Sequence, residues 1–424
     1  MPSPATTAFS RQRSVLAACC LLATLPGFDV AAPAGGRPGA RPRKVGPAST
    51  QLDLTLPADS AELLRALSAS LNRVYDQYLA FKSRVQTAAN IQYSVQVTTF
   101  GQFGTPHGGT DAGLIYSPVA TWQPFANTEA GAGIVTFGFT GDQFWTHQNA
   151  GAVQQSAGLL TPPNGWGANG YQYTQITYTQ TLRGNQLAAS AGQYSIGQFD
   201  GNLYAGSVQT NFFNYALAQN ASQTYANAGT GAYLQAWPIP ALEFDAGLQG
   251  ATDILGHSLT IDGFGQGKVA EFAALRWAPA SMDGGAYQVL YYNQPGVPLQ
   301  PGASQGLSFS AAQNFGPRYG VFLRVNNASG KAIPIETSVA FGGVVNNPFG
   351  HNRLDQAGLG LAWNQTNRAY IGAVAARSEW VVDGYYNFTV FKAMQIGPDV
   401  QFYPRPALAE GAAAVISLRT TLTF

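Results

Sequence analysis

The chain has 424 residues, and its 22 Lys and Arg against 21 Asp and Glu give a formal net charge of +1. Only 10% of the residues are charged, against about 25% in ordinary soluble domains, yet a mean hydropathy of −0.04 excludes a helical membrane protein. The balanced charge excludes nucleic acid as a partner, and the high aromatic content argues against a disordered chain.

The first 32 residues have the pattern of a secretory signal peptide. Arg11 and Arg13 precede an apolar run over 15–25, and small residues follow up to position 32. Cleavage as a lipoprotein at Cys19 is a less favoured alternative, because almost no apolar segment would precede it. Both cysteines, Cys19 and Cys20, lie inside this segment, so the mature chain has no thiol for a disulfide or a metal.

Residues 33–58 are rich in Pro, Gly and Arg, which is typical of a linker. Residues 59–90 then show an apolar heptad, which predicts an amphipathic periplasmic helix. Its a positions are Leu64, Leu71, Tyr78 and Val85, and its d positions are Leu67, Val74 and Phe81. Two interpretations stay open: a self-associating coiled coil, or a helix packed on the rest of the chain. In a coiled coil, the bulky Tyr and Phe at core positions favour more than two strands, as in a homotrimer.

From residue 91 to residue 424 the apolar period changes to two. The alternation is plain in 91–98, 242–249, 319–326, 335–341 and 415–424. About 16 such segments, with roughly 21 residues for each strand and its connection, suit transmembrane strands of about 10 residues. The polar face carries mainly Gln, Asn, Ser and Thr, where a soluble sandwich carries many charges. The pattern therefore predicts an all-β transmembrane barrel of antiparallel strands that is wide enough for an aqueous channel.

Several short motifs resemble the OprB-type carbohydrate-selective outer-membrane porins. They are Gly197-Gln198-Phe199-Asp200, Thr210-Asn211-Phe212-Phe213-Asn214, Gly358-Leu359-Gly360-Leu361-Ala362-Trp363, the spacing of Glu379, Asp383 and Tyr386, and Pro398-Asp399-Val400-Gln401-Phe402. Arg405 departs from the Asn that is frequent near there in the family. The resemblance covers roughly 90–424 and implies a protein in the bacterial outer membrane through which mono- and oligosaccharides diffuse passively.

The last strand resembles an assembly signal of outer-membrane proteins. Leu422 and Phe424 lie on its apolar face, and the strand ends on the aromatic Phe424. The resemblance implies two further partners, the barrel-assembly machinery and outer-membrane lipid.

Strand parity and loop length supply the candidate pathway residues. Parity predicts a lumen position for six charged residues, namely Glu243, Asp245, Glu271, Arg324, Glu336 and Arg419. The long connection 199–227 is the candidate constriction, and it contributes Asp200, Asn202, Asn211 and Phe212. The alternative for this connection is an extracellular loop folded over the rim.

No catalytic or metal motif stands out in the sequence. The four histidines, His107, His147, His257 and His351, are isolated, and no nucleophile elbow or phosphate loop is present. We therefore expect no enzyme activity, no metal and no cofactor. The alternative to a sugar channel is a barrel used for structure or export, which oligomerises or binds a periplasmic partner through the 59–90 helix.

Overall fold

The structure is a closed barrel of 16 antiparallel strands, in which each strand pairs with its neighbours in the sequence and the first pairs with the last. This computed structural model describes residues 58–424 apart from 107, 128–130, 183–185, 202, 205, 280–283, 299 and 374. The predicted signal peptide, and the linker up to residue 57, lie outside the described residues. The prediction of a barrel with about 16 antiparallel strands is confirmed.

The strands are β1 (Ile91–Thr105), β2 (Thr110–Asn127), β3 (Gly131–Phe144), β4 (Gly170–Leu182), β5 (Leu187–Tyr194), β6 (Gly229–Ile239), β7 (Leu242–Gly250), β8 (Val269–Trp277), β9 (Ala286–Gln294), β10 (Ser304–Phe315), β11 (Tyr319–Gly330), β12 (Ile335–Asn346), β13 (Gln356–Thr366), β14 (Ser378–Phe391), β15 (Met394–Tyr403) and β16 (Ala413–Thr423). The helices are α1 (Ala58–Ala89), α2 (Ala150–Ser156), α3 (Tyr215–Ala218), α4 (Asp262–Gly265) and α5 (Arg368–Ile371), with one 3₁₀ turn at Ile196–Phe199. None of the helices in the described ranges is long and apolar enough to cross a membrane.

Burial alternates along the strands, so each strand has an inner and an outer face. In β16, Val415 and Ser417 are buried, whereas Ile416 and Leu418 are more than half exposed. The outer faces carry many exposed large apolar side chains, which a soluble protein would not present to water in such number. Closure of the sheet also pairs the backbone groups of both edge strands, as hydrocarbon requires.

The two ends of the barrel differ in the length of their connections. Short turns such as 239–242 and 391–394 lie at the end where β1 begins and β16 ends, together with α1. The long connections 145–169 and 195–228 lie at the opposite end. In outer-membrane barrels the short turns face the periplasm and the longer loops face outward, which sets the orientation of this chain.

The helix α1 rests on the short-turn end of the barrel. The Ser68 hydroxyl donates to the Val390 carbonyl at 2.9 Å, and Lys392 Nζ lies 2.7 Å from Asp76 Oδ1. The ring of Tyr78 meets Phe424 edge-on, at 6.1 Å between centroids. The predicted helix is therefore present and packs on its own barrel, whereas the coiled coil stays a prediction.

Two lumen assignments made from parity are wrong. Glu271 lies on the outer face of β8, opposite Leu248 of β7, and Phe272 takes the inner face instead. Apolar residues occupy both faces of β8, and Phe272 is drawn inward because it stacks on Phe199 at 4.5 Å. A β-bulge breaks the alternation at the start of β12, where the half-buried Glu336 accepts from Gln365 on the outer face of β13.

Candidate functional site: the barrel interior

The inner wall is built mainly from neutral polar side chains. The buried polar and charged residues that face inward from the strands include Thr98, Gln102, Ser117, Thr140, Gln235, Asp245, Gln249, Ser308, Ser310, Arg324, Asn326, Ser338, Asn364, Glu379, Asp383, Asn387, Asp399, Gln401, Ser417, Arg419 and Thr421. Such a surface offers both donors and acceptors to a solute while carrying few fixed charges. It is the kind of wall along which a neutral polar solute can exchange hydrogen bonds step by step.

The connection between β5 and β6, residues 195–228, lies against this inner wall; we call it the inner loop. Gln209 shows how deep it reaches. Its side chain accepts from the Ser117 hydroxyl at 2.9 Å and donates to Thr98 at 3.0 Å, and its carbonyl accepts from Thr421 at 2.8 Å. These partners come from three adjacent strands, so the loop contacts the wall well inside the barrel.

Arg419 holds the inner loop by its backbone. Its Nη1 donates to the Val208 carbonyl at 2.7 Å, and its Nη2 donates to the Asn211 carbonyl. The guanidinium also lies 5.4 Å from the ring centroids of both Phe213 and Tyr385. A planar donor fork with two aromatic faces is a geometry that arginine satisfies and lysine does not.

Two buried carboxylates complete this clamp on β14 and β15. Asp383 accepts from the Asn214 backbone N–H at 3.0 Å, and Asp399 interacts electrostatically with Arg419. The Asn214 side chain donates to Gln401 at 3.0 Å, and it begins α3 by accepting from the N–H of Ala216. A buried cation that faces buried anions makes this contact costly to break from either side.

Aromatic packing holds Phe212 of the inner loop against the wall. The Phe212 ring is fully buried, 5.3 Å from Phe322 and 5.0 Å edge-on to Tyr385. Gly360 on the inner face of β13 makes room for it, since a Cβ there would lie 3.0 Å from the Phe212 ring and 2.8 Å from Leu217. The inner wall is therefore shaped to receive the loop.

Asp200 organises the first part of the inner loop. It accepts from Asn220 at 2.7 Å and from Tyr225 at 2.9 Å within the loop, and from Ser308 on β10. Burial, and next the nearby Asp200 carboxylate, raises the pKa of Tyr225 well above its usual value. The phenol therefore stays protonated and serves as a donor.

A second long connection, residues 145–169 between β3 and β4, is anchored by one carboxylate. Glu379, fully buried on β14, accepts from the N–H of Leu160 at 2.6 Å and from the N–H and hydroxyl of Thr161 at 3.0 and 2.9 Å. It also accepts from the Ala407 N–H at 3.1 Å. The two connections meet where the Tyr215 N–H donates to the Pro162 carbonyl at 3.3 Å.

The predicted residues occupy separate places on the wall. Glu243 and Asp245 face inward and accept from Gln235 at 3.1 and 2.9 Å, and Arg276 lies 3.5 Å from Glu243. Arg324 is buried on the inner face of β11. Asp200, Asn211, Phe212 and Arg419 belong to the inner loop and its anchors, whereas Asn202 lies outside the described residues.

Sequence reasoning missed the acidic anchors as members of the site. Glu379, Asp383 and Asp399 entered only as parts of family-like motifs, because alternation gives the face of a residue and not its partner. The pairing of β15 with β16 would by itself have indicated that Asp399 lies near Arg419. Among the described residues, no group of three or more potential metal ligands comes together.

A closed 16-strand barrel, with an apolar outer surface, a neutral polar inner wall and a long loop inside, defines a porin-type channel of the bacterial outer membrane. The chain belongs to the OprB family of carbohydrate-selective porins. The model of that family, described as "Carbohydrate-selective porin, OprB family", matches residues 137–424.

Similar proteins agree with this family. Porin AaxA of Chlamydia pneumoniae is 33% identical over 354 residues, covering 80% of this chain and 81% of that protein. Porin AaxA of Chlamydia felis is 30% identical over 335 residues, covering 76% and 75%. The high-pH structure of Pseudomonas putida OprB superposes with a TM-score of 0.68 at 13% identity, over 82% of this chain and 97% of that one, which shows the shared fold.

Proposed function

We propose that this chain is a passive channel for mono- and oligosaccharides, and that the inner loop forms its constriction. The observation that carries the proposal is the attachment of the loop to the inner wall by Arg419, Asp383 and Gln209 rather than to the rim. A barrel of 16 strands is too wide to select solutes by its wall alone, so the loop supplies the narrowing.

The chemistry of the interior supports a neutral, hydroxyl-rich solute. A sugar must exchange water hydrogen bonds for wall hydrogen bonds that are strong enough to admit it and weak enough to release it. Uncharged Gln, Asn, Ser and Thr side chains meet this demand better than fixed charges. The buried charges of the interior, such as Arg419 and Glu379, are engaged in holding loops.

Removal of the inner loop tests the constriction. Deletion of residues 201–222 should raise single-channel conductance in planar bilayers by about twofold or more, because the narrowest section of the pore is lost. The same variant should admit larger oligosaccharides in liposome swelling. A matched control shortens the exposed segment 257–259 at the same end of the barrel and should leave both readouts unchanged. Equal conductance in the deletion variant and the parent would refute the constriction.

A series of sugars tests the solute class. Liposomes that contain the intact protein should swell with glucose and with short oligosaccharides, at rates that fall as chain length increases. Swelling with small ions but with no sugar of any size would refute a sugar channel while leaving the barrel in place.

One observation favours a second function, assembly through α1. Tyr78 of the helix contacts Phe424 of the barrel and Leu71 is partly buried. The d positions Leu67, Val74 and Phe81, by contrast, are 51%, 63% and 49% exposed. An apolar stripe with a seven-residue spacing is suited to a second copy of the same helix, as in a homotrimer. Chemical crosslinking of the full protein would give a trimer band that a Leu67→Gln, Val74→Gln, Phe81→Gln variant loses. A monomer in both proteins would exclude this second function.

A further inference from the structure

A cavity of about 890 Å³ lies at the long-loop end of the barrel, apart from the inner loop. Its walls are the β13–β14 connection and the β15–β16 connection. Small-molecule sites in proteins commonly have about 300–1,000 Å³, so its size suits a sugar-sized ligand. We call it the arginine pocket, after the residues that line it.

The described residues that line this pocket carry a net positive charge. Among the described residues its lining includes three arginines, Arg368, Arg377 and Arg405, and one acidic residue, Glu410. Three positive charges against one negative stand out in a chain whose overall net charge is +1. Within the described part of the chain, none of the three arginines lies within ion-pair distance of a carboxylate. A bound anion would be attracted by all three guanidinium groups that line the pocket.

Backbone hydrogen bonds join the two connections at the base of the pocket. The Ala376 N–H donates to the Ala407 carbonyl at 2.8 Å and ties the two connections together. Glu379 holds the Ala407 N–H from below. Arg405 stands between Pro404 and Pro406, whose rings restrict the backbone on both sides of it. These restraints on the backbone lower the part of the binding entropy that comes from ordering the connections.

We infer that the arginine pocket binds the phosphate or carboxylate group of an acidic sugar at the outer mouth of the channel. Guanidinium groups pair bidentately with both kinds of oxyanion. Glu410 can then accept hydrogen bonds from the hydroxyls of the same ligand. The inference extends the proposed function, since it adds an acidic solute class to the neutral sugars. The same oxyanion chemistry is found in the phosphates of lipopolysaccharide, and the experiment must separate these two sources.

The test compares binding of glucose 6-phosphate, glucuronate and glucose to the purified full-length protein by calorimetry. The parent protein should bind the two acidic probes and show no measurable pocket affinity for glucose. An Arg377→Gln, Arg405→Gln variant should bind both acidic probes about tenfold or more weakly, because two charge-assisted pairs are lost. The matched control is Arg318→Gln, an exposed arginine at the short-turn end, and it should bind as the parent does.

The lipid source has its own readout. Lipopolysaccharide phosphate that copurifies with the parent and is lost from the double variant, with no binding of either acidic sugar, would assign the pocket to lipid oxyanions. Unchanged binding of the acidic sugars and of lipopolysaccharide in the double variant would overturn the inference. Glucose-driven liposome swelling reports separately on the channel, so loss of swelling with intact arginine-dependent binding would count against the proposed function alone.

Discussion

The inner loop and α1 are both segments outside the barrel wall, yet the wall holds them in opposite ways. The inner loop is fixed by buried groups, with Arg419 and Asp383 bonded to its backbone. The helix is fixed at an exposed rim, where both Asp76 and Lys392 are about half exposed. Burial strengthens polar contacts and makes their loss expensive, whereas water screens exposed ones. The comparison therefore predicts that the inner loop stays attached to the barrel wall as long as the barrel is folded, whereas α1 can detach from the folded barrel.

Replacement of Arg419 by Met should have the largest effect on this contrast. It removes the donors for two loop carbonyls and leaves Asp383 and Asp399 without their buried cation. Each buried loop carbonyl that loses its donor costs about 1–3 kcal/mol, and the two buried carboxylates lose the electrostatic influence of a nearby cation. The loss of unfolding free energy is measured by urea denaturation of the detergent-folded protein. The folded fraction is read from its heat-modifiable migration on gels.

The control for this substitution is Arg318→Met, since Arg318 bonds to the Pro348 carbonyl at an exposed turn. We expect less than about 1 kcal/mol there. Similar losses of unfolding free energy in the two variants would remove the claimed difference between the inner anchors and the rim.

Glu379→Gln should have an intermediate effect on the other long connection. The carboxylate accepts from three backbone N–H groups and one hydroxyl, and an amide would turn an NH₂ toward at least one of these donors. A buried group left unsatisfied costs about 1–3 kcal/mol. Limited proteolysis should show faster cleavage within 145–169, while Glu336→Gln, whose amide oxygen can still accept from Gln365 at the bulge, should not. A cleavage rate equal to that of the parent would show that this carboxylate does not anchor the connection.

Lys392→Ala should have the smallest effect. The exposed pair with Asp76 is worth at most about 1 kcal/mol and is weakened by salt, so barrel stability should not change measurably. The expected result is faster tryptic cleavage at the exposed Arg73 of α1 at low salt, with the difference fading at high salt. Lys331→Ala, in a turn at the far end, is the control. A drop in barrel stability with Lys392→Ala would show that α1 is part of the folded unit.

Alternation predicted the barrel and the faces of most strands, because lipid on one side and water on the other impose a period of two. It placed Asp245, Arg324 and Arg419 on the inner face, where the structure has them. It failed at Glu271 and Glu336, where a loop ring and a β-bulge override the pattern. A strand pattern carries no information about a loop that folds against it from 70 or more residues away.

The same limit explains the apolar residues of the inner wall. Phe100, Phe272 and Phe322 face inward although the pattern favoured polar side chains there. Each packs on an aromatic ring of the inner loop, namely Phe213, Phe199 and Phe212 in that order. Their position depends on tertiary contacts, which propensity and period do not describe.

Through Gly360, the inner wall affects the width of the pore independently of the inner loop's own sequence. Its missing side chain leaves the space that Phe212 and Leu217 fill. A single missense change to a larger residue on β13 would push these two side chains toward the axis, without altering any loop codon. Related channels can thus differ in the size of the solutes they admit through changes in the barrel strands, while the sequence of the inner loop stays the same.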